Sequence, residues 1–264
     1  MSEPYVMEWY PEDGGYASLS IHGFDALSGT LDGINRAGLV VAIMADDEAL
    51  AALGPLFEPH FGRQQAVGLH ELQVMRWLLD TCGTVEEARA ALLGVKQYYR
   101  LVPCHYIVAD RAGHSFVYEN STGRNVQHVL DGRGRPQVVT NFQLYRHATG
   151  DSMPTGSLTL ENNAFWRYAA LADQIAERAG RVAPNDMKAI NACVNVQRLR
   201  ETLREDPGGP SIAASVSSRT LWHSLYDQHR SAVEVSFYLG DEAGADGTSS
   251  ERRSEYLTFA LDAR

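Results

Sequence analysis

The chain has 264 residues, 44% of them hydrophobic and 21% charged, with a formal net charge of −10 at pH 7. That length allows one large domain or two small ones with a real core, and the composition is that of an ordinary globular protein. The acidic balance excludes a general nucleic-acid binder, which needs clustered cations; Arg133, Arg135 and Arg252-Arg253 form only short, interrupted groups.

No apolar run approaches the roughly 20 residues that cross a bilayer. The first residues, MSEPYVMEWYPEDGG, lack the basic and apolar regions of a signal peptide. These features read as a cytoplasmic chain with no membrane partner. Three cysteines, Cys82, Cys104 and Cys193, show neither metal-ligand nor disulfide-framework spacing. They are expected to be reduced and mostly buried.

Taken in order, YVMEWY and YASLSI within residues 5–22 read as two strands separated by the turn PEDGG. Gly33 and Gly38 bracket a tight turn, and Leu39 to Met44 is a continuous apolar run suited to a buried strand. Asp46 is a candidate N-cap for a short helix over residues 47–53. Residues 55–68 read as a loop. Leu72, Met75, Leu78 and Leu79 recur at helical spacing in a helix over 69–82, stopped at Gly83. Thr84-Val85-Glu86-Glu87 is a capping box opening the next helix, with Val85, Ala88 and Leu92 facing inward.

A hairpin follows. CHYIVAD and HSFVYE are two extended runs joined by Asp110-Arg111-Ala112-Gly113. Apolar residues on both faces of these runs imply a sheet covered on both sides. Residues 120–136 read as a connection to a β-branched strand, Gln137–Asn141, that ends on a bare amide. Residues 142–163 look irregular. Helices are expected at 164–179, ending at Gly180, and from Pro184-Asn185-Asp186 to about 194, with a further helix to Arg204. Residues 206–218 read as a loop. Strands are expected at Arg219–Tyr226, Ala232–Leu239 and Tyr256–Leu261, with residues 240–254 a mobile loop. With no internal repeat and no clean linker, the chain reads as a single α+β domain.

The chemical motifs are few. The nine histidines show no zinc-binding spacing. There is no GxSxG elbow, P-loop or GxGxxG, and GRGRP at 132–136 reads as a surface turn. Cys104 beside His105 suggests a thiol dyad, but neighbours in a strand point to opposite faces. Asn141 is a candidate donor to a carbonyl oxygen or oxyanion, and equally a turn residue. Trp9, Tyr98, Tyr99, Trp166 and Trp222 are candidates to line an apolar pocket or to fill the core.

Five segments occur in a telling order: DGINRAGLVVAI (32–43), MRWLLDTCGTVEEARAALL (75–93), HYIVADRAGHSFVYE (105–119), VVTNF (138–142) and RTLWHSLYDQHRSAVEVSFYLG (219–240). Together they resemble the N-terminal-nucleophile hydrolases of linear amides. These are the acyl-CoA:6-aminopenicillanate acyltransferase and choloylglycine hydrolase relatives, which include penicillin V acylases, bile salt hydrolases and isopenicillin N acyltransferases. The resemblance implies an αββα four-layer sandwich of antiparallel sheets. It implies hydrolysis or transfer at a linear C–N amide bond of a small acyl amide, through a thioester on an N-terminal cysteine, with no cofactor. It also makes Asn141, in the TN motif, a catalytic residue that holds the oxyanion or the α-amine.

The sequence departs from this pattern in three places. It begins Met1-Ser2-Glu3-Pro4, without cysteine, so the family's N-terminal strand and its nucleophile are expected to precede Met1. An exposed sheet edge would then favour self-association. Between Val40 and Asp46 no asparagine follows the Gly-Leu pair, leaving only backbone N–H groups for an oxyanion. Arg219 does not fall on the family's late arginine. Two alternatives stay open: a catalytically silent member that binds an acyl or amide ligand, and a cysteine enzyme using Cys104.

Overall fold

The computed structural model describes residues 3–23, 29–53, 67–121, 126–147, 153, 163–178, 181–195, 219–243 and 249–261. Most of the expected loop at 55–68, the helix to Arg204 and the loop at 206–218 lie outside these residues. The chain divides into two compact units. One is Met1–Ser152 with Tyr226–Val233 and Phe259–Arg264, and the other is Met153–Leu225 with Glu234–Thr258.

The first unit is built on a seven-stranded sheet. Its strands are β1 (Tyr5–Trp9), β2 (Ser18–His22), β3 (Thr30–Asn35), β4 (Val40–Ala45), β7 (Cys104–Ala109), β8 (Ser115–Asn120) and β9 (Gln127–Asp131), adjacent in that order and antiparallel throughout. Between β4 and β7 the chain forms α1 (Asp47–Leu53), β5 (Leu69–His70), α2 (Glu71–Thr81), α3 (Val85–Gly94) and β6 (Gln97–Tyr98). β5 and β6 make a two-residue parallel ladder.

One face of the sheet meets α2 and α3. Val41, Tyr106, Val108, Phe116 and Tyr118 pack against Val74, Met75, Leu78, Leu79, Val85, Ala88 and Leu92 in a single buried cluster. The apolar spacing of the two helices sets which residues face the sheet, and burial of this area is the main favourable term. The opposite face also buries apolar residues: Leu19, Ile21, Ile34 and Val117 are fully buried. Both faces are therefore covered, as the hairpin's composition implies.

Local signals place the helix ends. The Thr84 hydroxyl accepts from Glu87 N–H (3.2 Å), and the Glu87 carboxylate accepts from Thr84 N–H (3.1 Å), a closed capping box. Ala49 N–H donates to the Asp46 carboxylate (2.8 Å), so Asp46 caps α1. Gly83 follows the C-cap Cys82, and a Cβ there would lie 2.8 Å from the Tyr16 hydroxyl.

The DGIN segment locks the helix layer to the sheet. Asn35, fully buried, donates to Leu79 O (3.0 Å) and Cys82 O (2.6 Å) at the end of α2 and accepts from Leu39 N–H (3.0 Å). The turn after it needs glycine at Gly38, where φ is +87° and a Cβ would lie 2.5 Å from Gln228 O. Arg111, in the β7–β8 turn, donates to Gln228 O (2.9 Å) and Arg36 O (3.3 Å), tying three turns together.

Three expectations are corrected. Gln137–Asn141 is not a strand; the seventh strand is β9, within the segment read as a connection. The Gln137 side chain bonds Leu130 O and Ser115 Oγ, and the carbonyls of Thr140 and Asn141 pair with His105 and with Asp47 N–H. Gly33 lies inside β3, where a Cβ would lie 2.8 Å from a Leu79 methyl. Finally, residues 240–254 are not a loop throughout. β11 (Ala232–Ala243) runs on to pair with β12 (Ser249–Arg253).

In the second unit, α4 (Asn163–Glu177) packs on α5 (Pro184–Cys193). β10 (Trp222–Asp227), β11 and β12 are neighbours in a second sheet, and β13 (Leu257–Ala260) also pairs with β11. Arg253 donates to Thr220 O (2.6 Å) and Ser236 O (2.9 Å), fixing the strand that sequence patterning missed.

These contacts set two expected losses of stability. Asn35→Ala leaves two buried carbonyls and one N–H without their partner and should cost about 2–4 kcal/mol in urea unfolding, against about 1 kcal/mol for Thr84→Ala. Burial and the nearby Arg253 hold the His223 imidazole down at about 4, against 6.5 for a free histidine. The unfolded chain then binds the proton first as pH falls, so stability is full above 6.5 and is lost toward pH 4, on the order of 3 kcal/mol. His223→Gln should flatten the unfolding free energy across that window.

Candidate functional site

The candidate site is built where β4, β7 and β8 end. Register in the β7–β8 hairpin pairs Tyr106 with Tyr118, so His105 and Glu119 are the next opposed residues and share the face turned away from α2 and α3. Both are fully buried, and His105 Nδ1 lies 3.2 Å from Glu119 Oε1. His105 Nε2 donates to Thr140 O (2.5 Å). The Glu119 carboxylate accepts from Leu144 N–H and Tyr145 N–H, both at 2.9 Å.

α1 holds the same segment from the other side. Asp46 Oδ2 accepts from Gln143 Nε2 (2.7 Å), while its Oδ1 caps the helix. Burial raises the Asp46 carboxyl above its ordinary value, and the bonds from Ala49 and Gln143 oppose that rise. Glu48 accepts from Gln143 N–H (2.7 Å) and faces His147 Nε2 (3.3 Å). His128, on β9, stacks on Tyr145 with ring centres 3.9 Å apart. Residues 140–147, with the short 3-10 turn Leu144–Arg146, are thus fixed by side chains rather than by a strand ladder.

Asn141 sits at the centre of this segment, half-buried. Its side-chain Nδ2 donates to Ala45 O (2.9 Å), and its own carbonyl accepts from Asp47 N–H (2.9 Å). The amide is therefore held on the last residue of β4 and at the start of α1. That is a position where a rigid N–H donor can face a carbonyl oxygen.

The other sequence candidates have settings of their own. Cys104 is buried, its thiol donates to Val102 O (3.1 Å), and burial pushes the thiol well above its ordinary value. A thiol in that setting is a poor nucleophile. Cys82 is buried in the helix cluster. Arg219 donates to Asp241 in the second unit (Nε to Oδ1, 3.1 Å). Among the described residues, no group of three or more His, Cys, Asp or Glu side chains could hold a metal ion, and no helix is long and apolar enough to cross a membrane.

Sequence reasoning missed His105 and Glu119. A signal existed: the Asp110–Gly113 turn fixes the hairpin register, which sets a glutamate opposite a histidine inside an otherwise apolar pair of strands.

The fold is a mixed α/β one with antiparallel sheets, the fold class of the N-terminal-nucleophile hydrolases, and in the first unit an asparagine-bearing segment is clamped at the ends of β4, β7 and β8. The chain belongs to the acyl-coenzyme A:6-aminopenicillanic acid acyl-transferase family, whose profile matches residues 3–241. No curated protein sequence matches it. Among solved structures it is similar to penicillin V acylase from Agrobacterium tumefaciens, at 20% identity and a TM-score of 0.54 over 90% of this chain and 79% of that one. It is also similar to conjugated bile acid hydrolase from Clostridium perfringens. A single-residue variant of that hydrolase matches at 14% identity and a TM-score of 0.54, over 94% of this chain and 82% of that one. At these identities the likeness is one of fold.

The clamp makes a prediction. Glu119→Gln keeps the shape but turns an N–H₂ toward backbone N–H groups and His105, inside a fully buried site. It should cost about 3 kcal/mol of stability. Hydrogen exchange at the Leu144 and Tyr145 amides should speed up well beyond that of α2; unchanged protection there would contradict the clamp.

Proposed function

We propose that this chain forms the body of an enzyme that hydrolyses, or transfers the acyl group of, a linear C–N amide. The nucleophile in this reading is the thiol of an N-terminal cysteine, as the family resemblance implies. Two things support it: the family membership over residues 3–241, and the rigid setting of Asn141, whose amide is fixed on Ala45 O. The second is the observation that carries the reading, because a clamped N–H donor is what a developing oxyanion needs.

The thiol sulfur attacks the amide carbonyl while the cysteine's own α-amino group takes the thiol proton. The carbonyl oxygen becomes an oxyanion, and the Asn141 amide donates to it. As the tetrahedral intermediate collapses, the C–N bond breaks and the leaving amine takes the proton from the α-ammonium. An acyl thioester remains. Water gives the free acid, or an acceptor amine gives a new amide, and the thiol is restored. A thiol nucleophile suits a reducing compartment, and we place the enzyme in the cytoplasm.

A second reading has one observation in its favour. Cys82 and Cys104 are both buried, and the Cys104 thiol is pushed up by burial. A chain that had to rely on these cysteines would bind an acyl or amide ligand without cleaving it.

The test is to isolate the protein from its source, read its N-terminal residue by intact mass and mix it with N-acyl amides. The proposal expects an N-terminal cysteine, a burst of free amine and an acyl adduct on that cysteine. Asn141→Ala should lower kcat about 10²–10³-fold. A native chain with no N-terminal cysteine and no amine release would leave the binding-only reading.

A further inference from the structure

The hydrogen bonds around the buried His105–Glu119 pair leave a place for one proton between the two side chains. Thr140 O can only accept, so His105 Nε2 carries a hydrogen toward it. Both Glu119 oxygens accept from backbone N–H groups, Oε1 from Leu144 and Oε2 from Tyr145. What remains is the 3.2 Å contact of His105 Nδ1 with Glu119 Oε1, close but not aligned as a full hydrogen bond.

With no proton in that contact, a nitrogen lone pair faces a carboxylate inside a fully buried site, where water does not screen the repulsion. With two protons, the carboxyl O–H meets either the imidazolium N–H or a backbone N–H, donor against donor. One proton, carried by the imidazolium or by the carboxyl, satisfies every group of the pair.

Other charged and titratable groups face the pair from three sides. His128 of β9 lies opposite Glu119 in the ladder and stacks on Tyr145. Asp46, whose carboxyl burial raises, interacts with both His105 and Glu119. Glu48 of α1 faces His147 (3.3 Å), and Arg146 interacts with Glu48 and Asp46. On β4 the residue opposite His105 is the uncharged Met44.

The pair bonds residues on both sides of Asn141, namely Thr140, Leu144 and Tyr145. Its proton count therefore reaches the Asn141 amide, which rests on Ala45 O. We infer that the single proton between His105 Nδ1 and Glu119 Oε1 switches the Asn141 donor. With the proton in place, residues 140–145 are held and the amide is aimed. As pH rises the proton passes to solvent, the segment is released and amide cleavage stops. His105 and Glu119 are in this sense positioning residues, and their pair sets the alkaline limb of the activity. The inference rests on the amide-cleaving reading of Asn141.

The experiment is a titration of the native protein between about pH 5 and pH 10. Three quantities are followed: NMR shifts of the histidine ring nitrogens, exchange protection of the Leu144 and Tyr145 amides, and kcat for an N-acyl amide. The His105 ring should titrate in one step. In that step, protection of the two amides should fall at least tenfold while that of α2 is unchanged. On the same limb kcat should fall about tenfold per pH unit. His105→Gln keeps an N–H donor for Thr140 but cannot titrate, and should remove the limb. His223→Gln, in the second unit, should leave it in place. If His105→Gln does not fold, the unmutated protein decides alone. A His105 ring and two amides that do not change over that range, or a limb that follows the His147 ring instead, would overturn the inference. If ring and amides change together but no amide is cleaved, the reading of Asn141 falls and the switching role falls with it. If amides are cleaved with no limb where the His105 ring titrates, the switch falls and the function stands.

Discussion

A fully buried histidine and glutamate, side by side on neighbouring strands, are the constraint on which the candidate site depends. Burying ionisable groups is costly unless each finds partners in good geometry. Here the partners come from one segment. His105 takes the Thr140 carbonyl and Glu119 takes the N–H groups of Leu144 and Tyr145. These bonds form only if residues 140–145 lie in one conformation, and that conformation places Asn141 against Ala45. The cost of burying polar groups is thereby converted into position. Removing one partner does more harm than the bond's own strength suggests, since the remaining group is left buried and unmatched.

The rest of the first unit keeps that pair where it is. The β7–β8 hairpin lies between β4 and β9 in the sheet, so its register is fixed on both sides. Its turn is anchored as well. Asp110 accepts from Ala112 and His114 N–H through one oxygen and from Val85 N–H, at the start of α3, through the other. Asn35 makes the corresponding connection between the β3–β4 turn and the end of α2. On the helix side, Glu71 is buried and accepts from the backbone N–H groups of Arg100 and Leu101. Several buried side chains thus hold the ends of strands and helices by bonding backbone, which is how a site assembled from separated segments stays rigid.

What the sequence made legible was local. The Thr84 capping box, the Asp46 cap, the Asp110–Gly113 turn and the leucine spacing of α2 each concern residues within a few positions of one another, and all are found as read. The errors fall where distant contacts decide. Val138 and Val139 favour a strand, but the backbone at 137–141 finds side-chain and loop partners instead of a ladder. β9 and β12 are polar strands at the ends of their sheets, and pairing rather than composition makes them strands. Asn141 was singled out by its place at the end of a β-branched run and by its family motif; its setting depends on Ala45, Asp47, His105 and Glu119, between 22 and 96 positions away.

The central claim is that the Asn141 amide is clamped so as to receive an oxyanion. The most direct measurement is a structure of the native protein carrying a peptidyl or acyl aldehyde on its nucleophile, a mimic of the tetrahedral intermediate. The account predicts the aldehyde-derived oxygen about 3 Å from Asn141 Nδ2, with residues 140–145 unmoved and Glu119 still bonded to Leu144 and Tyr145. An oxygen lodged elsewhere, with Asn141 turned away from it, would contradict the account.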